Sequence, residues 1–124
     1  MSLFHYLHIG HFDEQALRQH QLVIQRPLDM ELAGKIFHEL GGTNTEDGRA
    51  FLGDEEIYTE PGNACLVCQI PRRYSKAVEF IYRLAKQTGC VVATVEGGGS
   101  ETAEQFLSSY QKREQRRPPA AQLT

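Results

Sequence analysis

The sequence predicts an α+β fold, one sheet with helices packed against it. Ala64–Ile70 and Cys90–Glu96 are short runs of small, β-branched and sulfur-bearing residues. Alternation along a strand places apolar side chains on both sides of each, as a strand covered on both faces requires. Between them Tyr74, Ala77, Val78, Ile81, Leu84 and Ala85 recur at helical spacing and form one apolar stripe. The flanking segments add further strand and helix patterns, so the whole chain reads β-α-β-β-α-β followed by one more helix.

Taken in order, Leu3–Ile9 alternates as a strand, with Gly10 as its end. Asp13–His20 is polar and reads as a helical turn or an arm. Gln21–Gln25 is a second short strand, stopped by Pro27. Asp29 suits an N-cap, and Leu32, Ala33, Ile36, Phe37 and Leu40 form the inward side of a helix that Gly41-Gly42 ends. Thr43–Gly48 reads as a polar loop. Ala50–Tyr58 is a strand interrupted by Gly53-Asp54-Glu55-Glu56, acidity that an edge or a bulge tolerates. Glu60-Pro61-Gly62-Asn63 reads as a hairpin turn into the central strand.

Pro71 suits the start of the long helix and Gly89 its left-handed stop. A right-handed crossover would then set Ala64–Ile70 and Cys90–Glu96 side by side and parallel. After Gly97-Gly98-Gly99, Ser100 reads as the N-cap of a helix from Glu101 to about Arg113, with Ala103, Phe106, Leu107 and Tyr110 on one side. The element order is that of the ferredoxin-like split β-α-β sandwich, with an additional C-terminal helix and an N-terminal arm or strand. That fold leaves one sheet face without helices, whereas here both faces are apolar. The last helix, the N-terminal arm or a second copy of the chain must cover it, so a homodimer is one expectation.

A chain of 124 residues is expected to form one domain, residues 1–113, with 114–124 as a disordered tail. Net charge is −3, which argues against nucleic acid or an anionic membrane as partner. Three cysteines beside apolar strands behave as small buried hydrophobes in a reducing compartment. No signal peptide and no apolar run of membrane-spanning length is evident, so the expected location is cytoplasmic.

Cys65-Leu-Val-Cys68 has the spacing of zinc and redox motifs, yet residues three apart on a regular strand face opposite ways. His5, His8 and His11 are potential metal ligands, and on a strand His5 and His8 diverge in the same manner. Gly97–Ser100 stands where backbone amides cradle phosphate, but it lacks the P-loop lysine and the dinucleotide-binding glycine pattern. No cofactor and no metal is expected. Arg72-Arg73 and the basic tail lack the exposed aromatics on central strands that an RNA-binding sheet needs. The most uneven feature is acidic: Glu46, Asp47, Asp54, Glu55, Glu56 and Glu60. Such a cluster steers a basic partner. Tyr82, at the margin of the long helix's stripe, offers apolar surface to the same end.

The run Ala77–Val92 resembles a segment of small bacterial immunity proteins of polymorphic toxin systems, in which a Leu-Ala helix end, a Thr-Gly break and an apolar strand follow one another. The resemblance implies a non-enzymatic cytoplasmic protein that binds and blocks a toxin through a charged surface. The expected function is protein–protein interaction, with Asp54, Glu55, Glu56, Glu60 and Tyr82 as the binding residues. The alternative is a metal-binding or small-ligand-binding enzyme domain using His5, His8 and His11 or Cys65 and Cys68.

Overall fold

The computed structural model describes residues 6–59, 64–94 and 99–116. The elements run β1 (Tyr6–Phe12), α1 (Glu14–Arg18), β2 (Ile24–Arg26), α2 (Met30–Glu39), β3 (Thr43–Asn44), β4 (Ala50–Leu52), β5 (Glu55–Thr59), β6 (Leu66–Gln69), α3 (Lys76–Thr88), β7 (Val91–Thr94), β8 (Gly99–Glu101) and α4 (Ala103–Arg116). The architecture is α+β. An open antiparallel sheet has the order β3-β4-β5-β6-β1-β7-β8, and β2 pairs with the end of β1.

Local chemistry explains the helices. Asp29 caps α2, its carboxylate accepting from the Leu32 amide at 3.0 Å. At the other end the Gly42 and Gly41 amides donate back to the Phe37 and His38 carbonyls, and Gly41 takes the left-handed φ of +81° that this closure needs. Ser75 caps α3, and Gly89 at φ +75° ends it. The start of α3 is therefore later than Pro71 suggests, and Tyr74 is an exposed residue before the helix rather than part of its stripe. Thr102, not Ser100, opens α4: its hydroxyl accepts from the Gln105 amide, and the Gln105 side chain accepts from the Thr102 amide. That reciprocal pair satisfies two donors that a helix start leaves without partners.

The main core lies between one sheet face and α2, α3 and α4. Leu7, Ile9, Ile57, Leu66, Cys68 and Val92 supply the sheet side, and Ile36, Phe37, Phe80, Ile81, Leu84, Phe106 and Tyr110 the helix side. Phe80 is ordinary core, edge-on to Phe37 with ring centres 6.3 Å apart. On the opposite face a small cluster joins Phe12, Cys65 and Ala93 to Leu17 of α1. The N-terminal arm, rather than the last helix, thus covers part of the second face.

Several expectations need correction. The strands β6 and β7 run parallel but are not neighbours, because β1 lies between them and is antiparallel to both. Gly10 does not end β1; it is buried within it, where an added Cβ would lie 2.9 Å from that of Cys65. Ala50–Tyr58 is not one interrupted strand but the hairpin β4–β5, with Leu52 opposite Glu55 and Gly53-Asp54 as its two-residue turn. Gly53 has φ +63°, the positive value a II′ turn requires at its first central residue. The segment before α4 is not a helix-opening loop, since Gly99–Glu101 pairs with β7 as β8. Thr43-Asn44 is a strand, and α4 continues to Arg116, three residues into the segment expected to be a tail. The expected turn over 60–63 lies outside the described residues, as do the strand's first residues before Tyr6.

Candidate functional site

The acidic sequence cluster folds into the β3–β4–β5 end of the sheet. Residues 43–59 carry five carboxylates against one arginine. The turn residues Gly53-Asp54 double the chain back, so strand alternation sends consecutive carboxylates to opposite faces. Ile57 pairs with Cys68 and belongs to the main core, which places Glu55 on the helix side and Glu56 and Tyr58 on the other.

On the helix side, Glu55 accepts a hydrogen bond from the Ser75 hydroxyl at 2.5 Å. That bond ties the hairpin to the start of α3. On the open side, Arg49 holds Glu56 through two contacts, at 2.8 and 3.1 Å. The guanidinium also lies over the Phe51 ring, 5.1 Å from its centre. The hydrogen bond from Arg49 lowers the pKa of the Glu56 carboxyl. Tyr58 stands beside this pair, 39% exposed, with its ring edge-on to Tyr6 of β1 at 6.2 Å. Burial, followed by its hydrogen bond to Glu56, raises the Tyr58 pKa. Asp47 closes the neighbouring turn with the Thr45 hydroxyl, and that bond lowers its pKa.

The structure therefore does not gather the expected binding residues into one patch. Asp54 is exposed at the hairpin tip, while Glu55 and Glu56 are on opposite faces. Glu60 lies outside the described residues. Tyr82 is on the α3–α4 seam, where its hydroxyl donates to Glu104 at 3.4 Å and Lys86 approaches the same carboxylate at 2.7 Å. What the fold brings together instead is Arg49, Phe51, Glu56, Tyr58 and Tyr6. The alternation of Arg49 with Phe51, and of Glu56 with Tyr58, is the signal that marks this side, but only once the turn is placed at Gly53-Asp54. Between β6 and β7 lies β1, and it carries Tyr6; the expectation of central strands without aromatics holds for β6 and β7 alone.

The sulfur and imidazole groups are separated by the same alternation. Cys68 belongs to the main core and Cys65 to the small cluster on the opposite face. All three cysteines are buried, and among the described residues none forms a disulfide. Burial, helped by the charge of Glu55, pushes the Cys68 thiol up to about 12, far from a reactive thiolate. His8 is buried in β1 and His11 points to the other side of the strand, while His5 lies outside the described residues. His11 lines a cleft of about 530 Å³ at the far end of the sheet, where burial and then the Arg26 charge lower its pKa. Among the described residues no three His, Cys, Asp or Glu side chains are grouped to hold a metal ion. Nor, among them, is any helix long and apolar enough to cross a membrane.

A further cleft, of about 600 Å³, is lined by the hairpin tip, with Asp54, and by the segment leading into α3, with Arg72 and Arg73. No protein-family model matches this chain, and comparison with curated proteins and with solved structures finds no match either.

Proposed function

We propose that this chain is a small cytoplasmic, non-enzymatic protein-interaction protein, immunity-like in role, that binds a basic protein partner through the open face of its β4–β5 hairpin. One observation carries the reading. The hairpin presents the exposed ring of Tyr58, edge-on to a half-buried Tyr6, beside an arginine-covered phenyl ring, with exposed carboxylates at its turns. Aromatic and arginine anchors at the centre with charge at the rim are the composition of a protein-binding patch. The exposed carboxylates of Glu46, Asp47 and Asp54 at the adjoining turns set the sign of the partner and disfavour a nucleic-acid backbone.

The same reading takes the fold as a ferredoxin-like split β-α-β sandwich. Its support is the strand order β5-β6-β1-β7, in which α2 and α3 connect strands separated by one neighbour. On that view α1, β2, β3, β4, β8 and α4 are additions, and β3 and β4 extend the sheet toward the binding face.

The test is affinity capture from native lysate with the full chain and with the double variant Asp47→Lys, Tyr58→Ala. A partner recovered by the wild type, lost with the variant and weakened by added salt is the expected result. Equal recovery by both chains overturns the assignment of this face. If the species that disappears on substitution is a second copy of the chain, the face is a homodimer interface and the heterologous reading fails.

A further inference from the structure

The hairpin tip also lines the open cleft of about 600 Å³ beside the start of α3. This volume is in the range of small-molecule sites. Two of its charged groups are already engaged. Glu55 accepts the Ser75 hydroxyl, so a carboxylate already occupies the end of α3, where the helix dipole favours one. Lys76 turns its ammonium toward the C-terminal end of α2, where a Cβ on Gly41 would lie 3.5 Å from its Nζ. That end of a helix attracts cations.

Three groups remain. The ion pairs among the described residues join Arg49 to Glu56, Arg83 to Glu39 and Glu79, and Lys86 to Glu104. Arg72 and Arg73 take part in none of them, and neither does Asp54. Two arginines and an aspartate, all exposed, thus line one cleft without closing to salt-bridge distance among the described residues. The exposed ring of Tyr74 forms an apolar stretch of wall beside them, its hydroxyl turned away to Glu79.

We propose that this cleft binds a small dipolar molecule, its carboxylate held by Arg72 and Arg73 and its ammonium by Asp54. Guanidinium groups match a carboxylate in geometry, and each such contact is charge-assisted. Because the walls do not meet, the ligand must carry its two charges at the ends of a spacer, and methylene groups along that spacer pack on Tyr74. The site lies across the hairpin from Tyr58 and does not depend on the partner-binding reading.

Titration of the full chain with ε-aminocaproate, followed by two-dimensional amide NMR, tests it. Caproate and hexylamine serve as single-charge probes. Saturable shifts are expected at Gly53, Gln69 and Tyr74, with each single-charge probe at least about tenfold weaker, caproate for want of the Asp54 contact and hexylamine for want of those to Arg72 and Arg73. Asp54→Asn is expected to reduce ε-aminocaproate to the affinity of caproate, and Arg72→Gln with Arg73→Gln to remove the caproate response. Shifts that do not saturate, or that fall outside the cleft, overturn the proposal. Equal affinity for caproate and ε-aminocaproate overturns its dipolar part. The wild-type titration with its two single-charge probes decides the matter even if a variant folds poorly.

Discussion

The two faces of the sheet are built from the same alternating strands yet are held in different ways. One is covered by three helices that contribute most of the large buried side chains, among them Phe80, Phe106, Ile36 and Leu84. The other is covered by a helix of five residues, which lays Leu17 on Phe12, Cys65 and Ala93, and elsewhere by the rings of Tyr6 and Tyr58. The lesson is that apolar residues on both sides of a strand do not imply equal layers. A short arm and two aromatic rings suffice where the neighbouring residues are small, as Gly10, Ala93 and Cys65 are.

The comparison can be broken most sharply at its strong side. Phe106→Ala should cost about 3–5 kcal/mol, since it removes a fully buried ring from the helix-covered core. Denaturant unfolding measures this. Leu17→Ala, its counterpart on the other face, should cost about 2–3 kcal/mol, with hydrogen-exchange protection lost first around Asp13–Gln21 rather than everywhere. Equal costs and equal spread for the two variants would show that the faces are not unequal.

Tyr110→Phe sharpens how the helix layer is locked. The Tyr110 hydroxyl donates to the Pro71 carbonyl at 2.7 Å, joining α4 to the segment before α3 in a buried setting. Its removal leaves that acceptor without this donor, for about 1–2 kcal/mol, read as a lower unfolding midpoint.

The smallest effect is electrostatic and touches both faces. Glu56, Glu79 and Glu104 are held below the ordinary carboxyl value of 4.5 by hydrogen bonds from Arg49, Tyr74 and Lys86 respectively. A depressed folded-state pKa contributes stability that is complete above 4.5 and lost as pH falls through the lowered value. Acidification below about pH 4.5 should therefore lower the unfolding midpoint. Glu79→Gln should flatten part of that slope, by a small amount because these pairs are solvent-screened. A pH profile that the substitution leaves unchanged would remove Glu79 from the account.

Much of the fold was legible where the signal is local. Asp29 and Gly41-Gly42 mark both ends of α2, and the stripe from Ala77 to Ala85 identifies the buried side of α3. The separation of Cys65 from Cys68 likewise needs only the period of a strand. Two further local signals were present and outweighed. Gly53-Asp54 after the apolar Phe51-Leu52 is a hairpin dipeptide, masked by the acidic residues after it. Thr102-x-x-Gln105 is a capping box, masked by the glycine run before it. By contrast β8 carried no signal, because Gly99-Ser100-Glu101 has no strand propensity and is ordered by pairing with β7. The candidate site was half legible: its acidity was plain, but its division between two faces was not.

By itself the sequence determined that the segments of α2, α3 and α4 are helical, where α2 starts and stops, where α3 stops, and that Cys65 and Cys68 take opposite sides of one strand. Those properties depend on neighbours a few residues away. Only the tertiary structure decided that β1 inserts between β6 and β7, that α1 serves as the second cover, and that Tyr6 meets Tyr58. Pairing partners far apart in sequence are chosen by how all the apolar faces can be buried together, and no local pattern contains that choice.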